Sequence, residues 1–210
     1  MKKLKYLSVF SLPITVWISF HATGWVTFLP TFVFFLFIPI LELFLKPNEY
    51  NLSEQEKEIA SKDSFYDILL YVMFPVQWFF VFYFLFHVTK WNNKVELIGR
   101  TAGMATMCGV IGINLGHELG HRLKRWEQLI GEALLFSSLE NHFLPYHNRG
   151  HHTNVGTPYD PATARRNEPL FVFWFRSHFG SYFQAWQIEF QRMRIKKVSL
   201  FHWSNRMVVY

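Results

Sequence analysis

Six of the ten histidines in this 210-residue chain fall between positions 117 and 152, where an even spread would place fewer than two. They form two boxes. His117-Glu-Leu-Gly-His121 spaces two imidazoles at i and i+4, so a helix projects both from one face toward a shared ion. His147-Asn-Arg-Gly-His151-His152 repeats that spacing and sets a third imidazole beside it. Neutral imidazole ligates zinc, copper and iron alike. The boxes therefore predict a metal site of His117, His121, His147, His151 and His152 before they say which metal. Ionisable groups close to lipid are costly and usually functional, and five imidazoles in two short boxes have no cheap packing explanation. His142 lies between the boxes, and the sequence leaves its role open. His21, His87, His178 and His202 stand alone and read as hydrogen-bonded packing residues.

HExxH is also the signature of zinc metalloproteases, in which two histidines hold the ion and the glutamate acts as general base on bound water. A metzincin would have Gly and His where this chain has Lys124 and Glu127, so that subclass fails. A membrane-embedded zinc protease needs one more ligand, for which Glu140 or Asp160 is available. Against it stands the surplus of imidazoles. A catalytic zinc takes three protein ligands and keeps one position open, so five overfill it and point to two ions. A metal-free membrane scaffold is the third class, and it has to treat both boxes as incidental.

The elements that must hold the boxes are apolar. Half of the residues are hydrophobic, a fifth are aromatic, and only 17% are charged, against about 25% in an average globular protein. That composition excludes a disordered chain and argues against a nucleic-acid-binding tail. The single cysteine, Cys108, forms no intramolecular disulfide and no four-thiolate zinc site. From Leu7 to Leu45 the one charged residue is Glu42, and a single helix of that length would far exceed the roughly 30 Å hydrocarbon core. The stretch must fold back, with His21-Ala-Thr-Gly24 as the turn. A signal peptide is the rival for the first span, but no small-residue cleavage site precedes the second apolar run.

The expected fold is an all-α integral membrane protein. Residues 1–116 form about four transmembrane helices (near 7–22, 25–45, 66–88 and 97–116), and 117–210 form a cytosolic histidine-box region with interfacial helices. Pro47 to Asp63 reads as a solvated connection carrying a short surface helix after Ser53. Gly99 and Gly103, then Gly112 and Gly116, sit four apart, a spacing that lets membrane helices approach closely. The formal charge of +6 divides as +1 over residues 1–116 and +5 over 117–210. With Lys2, Lys3 and Lys5 at the start, this surplus marks the N-terminus and the boxes as cytoplasmic. Aromatics between Phe171 and Trp186 suit an interfacial helix on which Arg176 could snorkel, and Arg192 to Lys197 suits an anionic leaflet or an acidic electron carrier.

The run His117-Glu-Leu-Gly-His121-Arg122, followed by His147-Asn-Arg-Gly-His151-His152-Thr-Asn-Val-Gly-Thr-Pro-Tyr-Asp-Pro-Ala-Thr-Ala-Arg165, resembles the membrane alkane 1-monooxygenase family of the fatty acid desaturase and hydroxylase superfamily. The second stretch is the more specific. The resemblance implies two non-haem iron ions held mainly by histidine, O2 as oxidant, an n-alkane or related acyl chain as substrate, and electrons from rubredoxin and rubredoxin reductase. It also implies a multi-pass location in the cell inner membrane. Fatty acid desaturation, which shares the histidine chemistry, stays open beside hydroxylation, as do substrate chain length and oligomeric state.

Two departures from the family pattern stand out. Tyr146 precedes the second box where the family has Glu, and after His152 only His178 and His202 remain, with no third HxxHH box. The expectation is an N-terminal fragment that does not turn over alkane by itself. In this reading His117, His121, His147, His151 and His152 are ligands. Glu118 or Asp160 orients an imidazole through its second ring nitrogen, although Asp160 in Thr-Pro-Tyr-Asp-Pro reads equally as a turn residue.

Overall fold

A computed structural model describes residues 3–46 and 50–209, and among them the chain is all-helical, without strands. Lys2 of the basic tail and Pro47, the start of the polar connection, lie outside the described residues. The chain divides into two compact units, Met1–Leu115 and Gly116–Tyr210.

In the first unit a 3-10 turn at Leu4–Phe10 leads into α1 (Ser11–His21), and Ala22 and Thr23 make the expected reversal before Gly24, whose φ of 59° is one that glycine adopts without cost. Helix α2 runs over Gly24–Phe44, with a π-helical turn at Val33–Phe37. After it come α3 (Glu54–Ser61), α4 (Ser64–His87) and α5 (Lys94–Met107). The surface helix expected after Ser53 is α3. Its capping box joins the Ser53 hydroxyl to the Glu56 amide while the Glu56 carboxylate takes the Ser53 amide.

The reversal at residues 22–24 is held by α5. Glu96 accepts from the Gly24 amide at 2.9 Å, and the buried Arg100 donates to the Ala22 carbonyl at 2.7 Å while pairing with Glu96 at 3.1 Å. Small residues make this approach possible. Gly103 lies against Pro30 and Ser19, and a Cβ on Gly99 would meet the Phe28 ring at 2.8 Å. The core of the unit is Leu12, Val16, Phe20, Met73, Phe80, Met104, Met107 and Ile111.

Two helices, Gly24–Phe44 and Ser64–Lys90, are long and apolar enough to cross a membrane, with mean hydropathies of 2.1 and 2.0. They bury little of themselves: Phe35, Phe37, Leu43, Phe44 and Phe86 all face outward. Such continuous apolar surface needs a cover. The other two expected spans coincide with α1, which has 11 residues, and with α5, which begins with Lys94, Glu96 and Arg100.

The second unit starts in α6 (Asn114–Gly120) and continues through α7 (Arg125–Phe136), α8 (Phe143–Tyr146) and a π-helical turn at His147–His151. A long helix, α9 (Leu170–Ile195), and the short α10 (Arg206–Val209) complete it. Ser181, Ala185, Glu189 and Met193 make the buried stripe of α9, each four residues from the next, while Phe171, Phe175 and Phe183 are exposed on the rest of its surface. Glu189 is buried and pairs with Arg192, which also donates to the Ser204 carbonyl, and it accepts from the Arg206 amide at 3.0 Å. Arg192 is thereby taken out of the basic stretch. Arg194, Lys196 and Lys197 stay exposed.

Backbone meets backbone where α6 crosses α7. A Cβ on Gly131 would lie 2.8 Å from the Gly116 carbonyl oxygen and 2.9 Å from the Gly120 nitrogen, so no side-chain rotation could relieve it. Gly131→Ala is therefore expected to push α6 off α7 and to destabilise the protein by about 1–3 kcal/mol, seen as a lower melting temperature. An unchanged melting temperature would show that this crossing tolerates a methyl group.

Candidate metal centre

His117 lies in α6 and His121 in the turn that directly follows its last residue, where the His121 amide bonds the Glu118 carbonyl at 3.3 Å and the two rings stay within reach of each other. The second box departs from the α-helix. His147–His151 is a π-helical turn, a form often found at functional sites, and His152 opens the helical turn that follows. The two boxes meet. His117 Nε2 lies 2.9 Å from His121 Nε2 and 2.8 Å from His147 Nε2, and His147 Nε2 lies 3.1 Å from His152 Nε2. The ligand atoms of His117, His121 and His147 all fall within 4.8 Å of one another.

Hydrogen-bond accounting shows why this arrangement suits a cation. A neutral imidazole nitrogen is either one donor or one acceptor, so an Nε2 that faces two other nitrogens satisfies at most one of them fully. Both His117 and His147 are in that position. Protonation is no remedy. Burial, reinforced by the neighbouring histidines, lowers the His147 pKa to about 3 and depresses that of His117 as well. Neutral lone pairs converging on one point are the donor set of a zinc, copper or iron site.

His151 joins the group by a different route. Its ring stacks on that of His147, with centroids 5.2 Å apart, and its Nδ1 bonds Asp160 Oδ2 at 2.9 Å. That bond fixes the tautomer and leaves Nε2 as the ring's free ligand atom. Asp160 is buried and serves several partners at once: it accepts from the Tyr146 hydroxyl, from Thr163 Oγ1 at 2.6 Å and from the Ala162 amide at 3.1 Å. Burial acts to raise its pKa, but the bonds from Thr163, Tyr146, Ala162 and His151 outweigh it and hold the carboxyl below its usual range. The turn role and the imidazole-orienting role of Asp160 are both real. Glu118, the other residue considered for orienting an imidazole, is more than half exposed and pairs with Arg122 at 3.3 Å.

Tyr146 is buried, and its hydroxyl is committed to Asp160. Desolvation first, and the Asp160 carboxylate second, raise its pKa, so it remains a neutral donor. Tyr146, directly before the second box, thus reaches it through the carboxylate behind His151. Sequence reasoning flagged the position but not this partner.

Arg176 holds the loop that carries Asp160. It does not snorkel as expected. Its guanidinium donates to both Glu168 carboxylate oxygens at 2.6 Å and to the carbonyls of Pro161 and Thr163 at 2.9 Å. Irregular loop carbonyls need donors, and an arginine fork supplies several from one side chain. His142 lies apart from the box cluster, facing Glu140 and His178; burial first, and His178 second, lower its pKa to about 4. His202 bonds Ser204 at 2.8 Å.

A sequence model of the fatty acid desaturase family matches residues 94–209, more than half of the chain and all of both boxes. The chain belongs to the fatty acid desaturase family. Among proteins it resembles, this family member is 28% identical to the alkane 1-monooxygenase of Pseudomonas putida over 93% of its own length and 49% of that protein. It is also 28% identical to the alkane 1-monooxygenase of Ectopseudomonas oleovorans, over 98% of this chain and 53% of that protein. Against alkane 1-monooxygenase 2 of Alcanivorax borkumensis the identity is 30%, over 90% and 52%. The chain spans about half the length of the curated relatives it matches.

Two outcomes follow from this geometry. The Arg176 fork, with the Arg165 amide behind it, lowers the Glu168 pKa to about 2, below its unfolded value of about 4.3. The stabilisation is full above the unfolded value and is lost as pH falls from there toward 2. The parent should therefore lose more thermal stability than Glu168→Gln between neutral pH and about pH 3; equal losses would remove Glu168 from the acid response. Asp160→Asn should weaken metal binding by about 10–100-fold, read as metal retained after dialysis, and undiminished retention would show that His151 needs no anchor.

Proposed function

We propose that this chain carries the histidine-box region of a membrane di-iron monooxygenase that hydroxylates the terminal carbon of an n-alkane or related acyl chain. The observation that carries the reading is the chain of Nε2 contacts His121–His117–His147–His152, with His151 anchored on Asp160. Five imidazoles exceed what one catalytic zinc uses and suit two irons, with His117, His121, His147, His151 and His152 as their ligands. The desaturase family match and the similarity to alkane 1-monooxygenases support the same reading.

A terminal C–H bond is strong and unpolarised, so acid–base groups and side-chain nucleophiles cannot cleave it. Iron, when bound, supplies the redox chemistry that activates O2, whose atoms end one in the alcohol and one in water. The chain's own residues bind and orient. Asp160 keeps His151 in one tautomer, Tyr146 and Thr163 hold Asp160, and burial keeps His117 and His147 neutral. In this proposal four spans place the N-terminus and the boxes on the cytoplasmic side of the inner membrane, and the alkane approaches from the bilayer. Electrons come from rubredoxin and its reductase, for which the exposed Arg194, Lys196 and Lys197 offer an acidic carrier a surface.

Elemental analysis of the full-length protein should find iron near two per chain, and His147→Ala with His151→Ala should abolish both the iron and the formation of a terminal alcohol with rubredoxin, reductase and O2. Stoichiometric zinc with chelator-sensitive peptide cleavage would replace this reading by the protease. An alkene product would move it to desaturation, and unaltered metal content in the double variant would leave a scaffold.

A further inference from the structure

Glu140, His142 and His178 form a second convergence that shares no residue with the boxes. Glu140 Oε2 lies 3.5 Å from His142 Nε2, its Oε1 lies 3.7 Å from His178 Nδ1, and one donor atom from each residue falls within 4.8 Å of the others. The geometry points to a mononuclear divalent-cation site of the zinc type, with two imidazoles and one carboxylate as protein ligands.

The local fold brings these three together for reasons unrelated to the boxes. Helix α7 stops where Leu139 takes a φ of 59°, a left-handed residue that closes the helix with a bond from the Glu140 amide to the Leu135 carbonyl at 3.0 Å. The chain leaves that stop with Glu140 and His142 two residues apart, opposite α9. There His178 is followed at i+3 by Ser181, whose hydroxyl lies 3.3 Å from His142 Nε2. The ring planes of His142 and His178 stand nearly perpendicular, at 89°, with centroids 5.4 Å apart.

The spacing suits an ion better than it suits hydrogen bonds. Distances of 3.5 and 3.7 Å are too long for good ones, yet a metal at about 2.0–2.2 Å from each donor sets ligand atoms about 3.3–3.6 Å apart in a tetrahedral shell. His142 is 6% exposed, so its Nε2 has little access to water. Two histidines and a glutamate are one of the ligand sets of catalytic zinc, in which a fourth position stays open. A cavity of about 310 Å³, lined by Leu139, Asn141, His142, His178, Tyr182 and Met207, adjoins the group and gives that position room for water or a small anionic ligand.

The test pairs iron analysis of the full-length protein as isolated with titration of the same protein, after metal removal, with Zn2+ and with Co2+ followed by its visible absorption. Glu140→Gln and His178→Ala should each remove one bound ion per chain or raise its Kd at least about tenfold, while the iron bound by the boxes is unchanged. His178 is half-exposed on α9, so its replacement leaves the fold intact. His147→Ala should have the opposite pattern, losing box iron and keeping this ion, which separates failure of this site from failure of the di-iron reading. Equal Zn2+ and Co2+ binding by the parent, Glu140→Gln and His178→Ala would overturn the assignment, and so would loss of box iron in either variant with no change in Zn2+ binding.

Discussion

The structure turns on a donor–acceptor constraint that protein groups alone leave unmet. Four imidazole nitrogens stand within hydrogen-bond distance in a row, and the inner two each face two neighbours. Neutral imidazole offers one donor and one acceptor nitrogen, and burial works against the charged form. The fold holds lone pairs together against their own repulsion. Packing of α6 on α7 through Gly116, Gly120 and Gly131 supplies part of that hold, and the π-helical turn of the second box supplies another.

Behind the imidazoles lies a layer of hydrogen bonds that fixes how they are presented. Arg176 gathers two loop carbonyls and Glu168; the loop presents Asp160; Asp160 fixes His151; and Tyr146 closes the set from α8. Each link is a hydrogen bond made by a buried or half-buried group, and such groups are costly to leave unpaired. This explains why a tyrosine is accommodated just before the second box. Its ring fills the interior, and its hydroxyl delivers a proton donor to the carboxylate instead of bringing a second negative charge.

Much of the site could be read from local spacing, because i and i+4 on a helix fix a shared face without knowledge of the fold. The turn at residues 22–24 and the capped helix after Ser53 were legible for the same reason: glycine, capping serine and glutamate act over three or four residues. Longer-range pairings were not. Arg176 sits among exposed aromatics, so its sequence context suggested snorkelling, while its partners come from an irregular loop whose path has no periodicity. The meeting of His178 with Glu140 and His142 depends on how α9 docks, which no window of sequence encodes. Apolar length announced membrane-crossing capacity for α2 and α4, but it says less of α5, where glycines and the pairing of Glu96 with the buried Arg100 interrupt the pattern.

Asp160 also changes the charge balance of its surroundings. Held ionised by four donors, it puts a permanent negative charge one imidazole away from any bound cation, where low polarity lets the field reach further than it would in water. Under the di-iron proposal such a charge would favour the more highly charged of two oxidation levels, and the loop would tune how readily a bound iron gives up an electron without contributing a coordinating atom.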